Sequence, residues 1–205
     1  EMLADLFVRR VNGKVPPFTR VIVETTGLAN PGPVANSIVA DSLLRAEFRF
    51  AAIVTTVDAM QGAYQLDHYV EARHQVALAD TLIVTKTDLV SSSVSEDIIS
   101  RLRAVNPLAD VVTSINGNVD PDVLFADAFR GATRYWAASA AGAGIGAQQG
   151  ARASPHTEGT RTWSVVIDHP VHWAGLAAWI AHATTIFGDR LLRAKGIFTV
   201  TGEKS

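Results

Sequence analysis

No cysteine occurs anywhere in these 205 residues. That removes disulfides, thiolate metal ligands and cysteine nucleophiles together, and it fits a reducing, cytoplasmic setting. Neither sign of charge is in excess. Eighteen Lys and Arg stand against 20 Asp and Glu, a formal net charge of −2, so nothing electrostatic favours nucleic acid or an acidic membrane as partner. No apolar run approaches the roughly 18 residues that a spanning helix requires. Glu1 and Asp5 flank only a short apolar stretch, without the pattern of a signal peptide. Also missing is G-x-x-x-x-G-K-[ST], the loop that cradles nucleotide phosphates. The histidines form no ligand cluster: His68 and His74 do not share a helix face, and His169 and His172 straddle Pro170.

What is present reads as an ordinary globular chain, 48% hydrophobic and 19% charged, long enough for one large domain or for one domain plus a smaller one. Leu3, Leu6, Phe7 and Arg10 have helical spacing, so the chain opens on a helix to Val11, ended by Asn12-Gly13. Val21–Val23 is a short β-branched run that reads as a buried strand. Val34, Ile38 and Leu43 predict a helix to about Arg45. A second strand is expected at Ala51–Val57, ending on Asp58, then helical pattern from Gly62 to Ala79 in one or two pieces. Strands are expected again at Thr81–Val84 and Asp110–Thr113. Ser93 and Glu96 suggest a capping box for a helix that Asn106-Pro107 stops. Asp120-Pro121 starts another helix, to about Arg130. Four alternations of apolar strand and helix imply an α/β fold, a mostly parallel sheet flanked by helices.

Ala137–Ala153 is almost entirely small residues and reads as a linker. The expected division is a nucleotide-binding domain over 1–136, a linker over 137–154 and a small C-terminal α+β domain over 155–205. In the last, Thr162–Ile167 and Ile197–Val200 read as strands around a helix carrying Trp173, Leu176, Ala177, Ile180 and Ala181, with Trp163, Trp173 and Trp179 as its core.

Two strand ends carry candidate chemistry. Glu24 follows the Val21–Val23 run and precedes Thr25-Thr26-Gly27. Ligands of open α/β sheets bind outside the carboxyl ends of strands, so Glu24 is either an ion ligand or a solvated strand exit. Thr85-Lys86-Thr87-Asp88 follows the strand at Thr81–Val84. A carboxylate accepts both adjacent donors of guanine, the ring N1–H and the exocyclic amine, which adenine cannot present as a pair. Asp88 would therefore select guanine, with the Lys86 stem lying along the base and Thr85 bracing the loop. The plainer reading is an Asp that caps its loop. Asp58 is balanced in the same way between a nucleotide-side role and a cap.

With ETTGLANP, VDA ending on Ala59, QVALADTLIVTKTDL and Asn106-Pro107 in this order, the chain resembles the G domain of CobW-type GTPases, metal-insertion relatives of HypB and UreG. HTEG at 156–159 and RLLRAKG at 190–196 resemble the small C-terminal domain of that family. The resemblance implies a P-loop NTPase-like fold, with GTP as ligand and Mg²⁺ held by Glu24 through water. It implies that the Gly27 N–H senses the γ-phosphate and that Asp88, Lys86 and Thr85 recognise guanine. The loop near Ser114–Gly117 would meet the guanine oxygen. It further implies GTP hydrolysis coupled to delivery of Zn²⁺ or Co²⁺ to a metalloprotein or cofactor-assembly client. Against the family pattern, the phosphate loop and the Cys-rich metal motif are absent. The expectation is of a chain incomplete at its N-terminus, exposing an unpaired sheet edge and unable to hydrolyse GTP alone. The alternative is a non-catalytic protein-interaction module with the α/β core as scaffold.

Without a phosphate loop, nucleotide binding by the 205-residue chain is expected to be weak. Isothermal titration calorimetry with GTP should show no binding in the micromolar range; a micromolar dissociation constant would contradict this reading.

Overall fold

The computed structural model describes residues 2–124, 167, 169–192, 194, 196 and 198–201. They fall into two compact units, Glu1–Ala51 and Ala52–Ser205, taken in turn. The expected linker at 137–154, HTEG with His156, Trp163, Arg193, Lys195 and the helix beyond Leu124 lie outside the described residues.

The first unit holds three short helices. Helix α1, Met2–Val11, ends as predicted at Asn12-Gly13, where Gly13 has φ +66° and Lys14 N–H donates to the Arg9 carbonyl at 2.8 Å. The single helix expected from Val34 is two, α2 at Pro31–Ala40 and α3 at Ser42–Glu47. Asp41 divides them. Its backbone is extended, and its Oδ1 accepts from the N–H groups of Leu43 and Leu44 at 2.9 and 3.0 Å, so capping the second helix wins over continuing the first. Leu44 is the buried residue of this unit, and Phe7 meets Phe48 edge to face with centroids 6.2 Å apart. The predicted strand at Val21–Val23 does not form: residues 20–26 have no regular structure, and Ile22 is 73% exposed. A strand exists only through its ladder, and β-branched composition alone does not supply a partner.

The second unit is built on a three-stranded parallel sheet in the order β1-β2-β3, with β1 at Val54–Asp58, β2 at Thr81–Thr85 and β3 at Asp110–Ser114. Among the described residues β1 has a ladder neighbour on one side, and Val54 there is 39% exposed. Helices α4 (Gly62–His68) and α5 (Val70–Leu78) form the first crossover, two pieces with a break at Tyr69. Helix α6 (Ser92–Val105) forms the second. Its cap is Ser91, whose Oγ accepts from Val94 N–H at 3.4 Å, in place of the expected Ser93. The start of α7, Pro121–Leu124, has the predicted cap, Asp120 Oδ1 accepting from Asp122 N–H at 2.9 Å.

One face of the sheet carries the core. Val57, Leu82 and Val84 pack with Leu66 of α4, Val76 of α5, and Ile98, Leu102 and Val105 of α6. Leu82, Val84 and Leu102 are fully buried; burial of each such side chain contributes about 1.5–3 kcal/mol. Gly62 lets α4 start hard against β1, since a Cβ there would come within 2.6 Å of Val57 Cγ1.

At the amino ends of the strands two buried polar residues close the layer. Asp80 Oδ2 accepts from Ile53 N–H at 2.8 Å, while the Asp80 N–H donates to the Ile53 carbonyl at 2.7 Å. The Asn106 amide donates to the carbonyls of Val76, Ala77 and Ala79 at 2.8, 3.2 and 2.9 Å, and its Oδ1 accepts from Leu108 and Ala109 at 3.2 Å each.

Toward the C-terminus, helix α8 spans Trp173–Phe187 and Val171 bridges Val200 in parallel; the strand expected at Thr162–Ile167 lies outside the described residues except for Ile167, which has no regular structure. The tryptophans of α8 are not the expected core. Trp173 is 66% and Trp179 55% exposed, and Leu176 is the buried residue of the helix. Trp173, Leu176 and Ile180 share a helical stripe, but Ile180 is exposed too, so burial stops at the middle of that stripe.

Asn106→Ala removes the donors of three carbonyls and is expected to cost about 2–4 kcal/mol in urea unfolding. Asn106→Asp should be no better, because it sets a carboxylate against those same carbonyls. A loss below about 0.5 kcal/mol for either would refute the clamp.

Candidate functional site

Parallel strands of equal length, paired in register, end at one level. Asp58 pairs with Thr85 and Thr85 with Ser114, so the last residues of β1, β2 and β3 stand side by side. At about 4.8 Å per strand they occupy roughly 10 Å of edge. Three loops leave from it. After β1, Asp58 Oδ1 accepts from Met60 N–H at 2.7 Å and ties the turn into α4. After β3, Asn116 and Gly117 both have positive φ, 52° and 74°, in a turn closed by the Ile115–Asn118 bridge, with Ser114 Oγ donating to the Asn118 carbonyl at 3.3 Å.

The loop after β2 is the predicted Thr85–Asp88 site. Thr85 braces it across the sheet: its Oγ1 donates to the Val57 carbonyl at 3.3 Å, and its own carbonyl accepts from Ala59 N–H at 2.9 Å. Lys86 has φ 58° and ψ 32°, the left-handed region that non-glycine residues seldom enter. The chain then turns through one 3₁₀ turn, Thr87–Leu89, where Leu89 N–H donates to the Lys86 carbonyl at 3.1 Å. Asp88 lies in that turn, exposed, and among the described residues no hydrogen bond or ion pair engages its carboxylate. Its edge is open to a donor pair.

Lys86 is not loose. Its Nζ donates to Asp58 Oδ2 at 2.7 Å, with the Lys side chain 55% and the Asp side chain 22% exposed. Burial alone would push the Asp58 carboxyl up, but the Lys86 ammonium and the Met60 and Gln61 N–H groups outweigh it and hold it below its ordinary value. The pair therefore contributes at neutral pH, and its contribution is lost only as pH falls below the ordinary carboxylate range and Asp58 protonates. Asp58 thus caps its loop, one of the two roles that its sequence position suggested, and its other oxygen reaches the β2 loop.

Glu24 and Gly27 belong to the first unit. Glu24 is exposed on irregular chain, and Gly27 sits in a turn that Ala29 N–H closes on the Thr26 carbonyl at 2.9 Å. Asn30 Oδ1 then caps α2 by accepting from Gly32 N–H at 3.0 Å, with Pro31 in the first turn. The expected sites thus fall on both units, Thr85, Lys86 and Asp88 joined by Asp58 on one edge of the second. As a lone carboxylate Glu24 suits Mg²⁺, which keeps most of its waters and takes one or two carboxylates with substrate phosphates. Among the described residues no three His, Asp or Glu side chains converge on a metal-sized site, and none of the described helices is long and apolar enough to cross a membrane.

Comparison with known proteins adds the following. Residues 3–113 match the family described as CobW/HypB/UreG, nucleotide-binding domain, and residues 160–205 match the Cobalamin synthesis protein cobW C-terminal domain. The chain is 30% identical over 125 residues to the Zinc chaperone YjiA of Escherichia coli (strain K12), covering 61% of this chain and 38% of that protein. It is 31% identical over 119 residues to the Zinc-regulated GTPase metalloprotein activator 1 of Schizosaccharomyces pombe, covering 55% of this chain and 28% of that protein. The crystal structure of Zn(II)-bound YjiA GTPase from E. coli superposes with a TM-score of 0.67 at 23% identity, over 98% of this chain and 60% of the other. At that identity the likeness shows the fold.

The left-handed Lys86 gives a direct test of the loop. Lys86→Val should be less stable than Lys86→Gly by about 1–2 kcal/mol, since a β-branched residue resists this region and glycine does not. Equal stabilities in urea would mean that the loop does not hold this conformation.

Proposed function

The chain belongs to the CobW/HypB/UreG family, and from that membership we propose that it forms the guanine-recognition and switch portion of a GTPase serving metal delivery. The single observation that carries this is Asp88: an exposed carboxylate, unengaged among the described residues, in a braced loop at the carboxyl edge of a parallel sheet.

In this reading the Asp88 carboxylate accepts the N1–H and exocyclic N–H of guanine together. The Lys86 stem lies along the ring while its ammonium stays on Asp58, and Thr85 keeps the loop at the height of the strand ends. By family membership Glu24 would hold Mg²⁺ and the Gly27 N–H would serve the γ-phosphate. When bound, Mg²⁺ supplies neutralising charge to the phosphates. Hydrolysis of this kind is mostly positioning and charge stabilisation. The 205 residues spell no G-x-x-x-x-G-K-[ST]; the part proposed for the residues named here is base selection and switch contacts. The cargo is proposed to be Zn²⁺, by analogy with what the E. coli and fission yeast relatives are named for, with Co²⁺ as the variant that the C-terminal family description suggests. The partner is a metalloprotein or cofactor-assembly client.

Base selection decides this reading. Asp88→Asn should exchange the preference for GTP over xanthosine triphosphate, since an Asn amide can donate where the carboxylate accepted. The change in ratio should be at least about tenfold in titrations at millimolar nucleotide. Unchanged selectivity would refute the role of Asp88.

A further inference from the structure

Four features of the β2 loop converge on Asp58. It ends β1 in register with Thr85, the residue before Lys86. One of its oxygens is fixed by the Met60 N–H at 2.7 Å, which leaves the other to face Lys86. That oxygen takes the Lys86 ammonium at 2.7 Å. Lys86 in turn holds a left-handed backbone that lysine does not choose by itself, and non-glycine residues in that state gather at functional positions. A lysine stem has four rotatable bonds and no preferred direction in water. Here it is clamped at both ends, by its backbone and by its ammonium, and yet remains 55% exposed. Ion pairs this open contribute little to folding. The arrangement holds the stem still without covering it.

We propose that Asp58 is a positioning residue for purine recognition, fixing Lys86 from behind so that its stem forms a ready ledge beside Asp88. This rests on the reading of Thr85–Asp88 as a guanine site. The ledge meets the flat face of the base and not its hydrogen-bonding edge, so Asp58 governs affinity while Asp88 governs which base is chosen. Fixing the stem before the ligand arrives removes an ordering cost from binding.

The test is a set of GTP titrations into the ¹⁵N-labelled 205-residue chain, followed at the amides of residues 85–89. Asp58→Asn keeps an oxygen for the Met60 N–H but removes the charge that holds Lys86, and should weaken GTP about two- to tenfold. Its GTP-to-xanthosine triphosphate ratio should stay that of wild type. Asp58→Glu, which restores the charge, should recover part of the affinity. Lys86→Met keeps the stem without the clamp, and adding Asp58→Asn to it should change nothing further, because Asp58 acts through Lys86. Wild-type affinity in Asp58→Asn would overturn the proposal and leave the guanine reading standing. A further loss on adding Asp58→Asn to Lys86→Met would also overturn it, by showing that Asp58 supports the loop in another way. If Asp88→Asn leaves base selectivity unchanged, the guanine reading fails and this proposal with it, an outcome separate from the other two.

Discussion

The Asn106 amide is the interaction on which the second unit depends. Its one side chain makes five hydrogen bonds, three to carbonyls at the end of α5 and two to N–H groups entering β3. Those carbonyls belong to the last turn of α5 and the residue after it, where intrahelical donors run out. The Val76 carbonyl also accepts from Ala79 N–H at 3.3 Å, and the Asn106 amide adds a donor to all three. Asp80 performs the companion task for β1 and β2 through Ile53, and its carbonyl accepts from Asp110 N–H at 3.0 Å to draw in β3. With these ends tied, the strands have one register, and with one register their carboxyl ends are level. The loops that leave those carboxyl ends inherit their position from a clamp at the other end of the sheet.

Much of this was legible in the chain, and the failures are instructive. Strands β1, β2 and β3 were all expected near where they form, with Asp58, Thr85 and Asp110 close to their ends, although β1 starts at Val54 and not at Ala51 and carries two threonines among its five residues. The cap at Asp120 and the stop at Asn12-Gly13 followed from local chemistry, while the break between α4 and α5 at Tyr69, which has no side-chain cap bond, was left open by the spacing. Val21–Val23 misled because β-branched composition describes what suits a sheet, not whether a sheet is there to join. Ser93 misled because three serines in a row each could cap, and it is Ser91 that does. The division at Asp41 was available in principle, since Asp two residues before a leucine pair is a cap signal, but the apolar spacing ran straight through it.

The site was legible as residue types and not as geometry. Thr85, Lys86 and Asp88 could be singled out by the donors and acceptors they carry. That Asp58 lies beside Thr85, within reach of Lys86, is a consequence of register, and the left-handed backbone of Lys86 appears only in the folded loop. Nothing in the one-dimensional spacing between 58 and 86 encodes them. Asn106 was read as a helix stop because Pro107 follows it, which is true and hides its larger role. A buried Asn has more hydrogen-bonding capacity than a cap alone uses, and that surplus is the only hint the sequence offers.

Each strand of this sheet is five residues long. At about 3.3 Å per residue that sets the polar clamp and the carboxyl edge roughly 13 Å apart, with fully buried Leu82 and Val84 between them. Substitutions at such a distance, sharing no partners, change free energies nearly independently. In evolutionary terms the two ends are separable. The loops beyond Asp58, Thr85 and Ser114 can drift toward a different ligand while Asp80 and Asn106 keep the sheet folded, and the clamp can be tuned to temperature without altering what the far edge recognises.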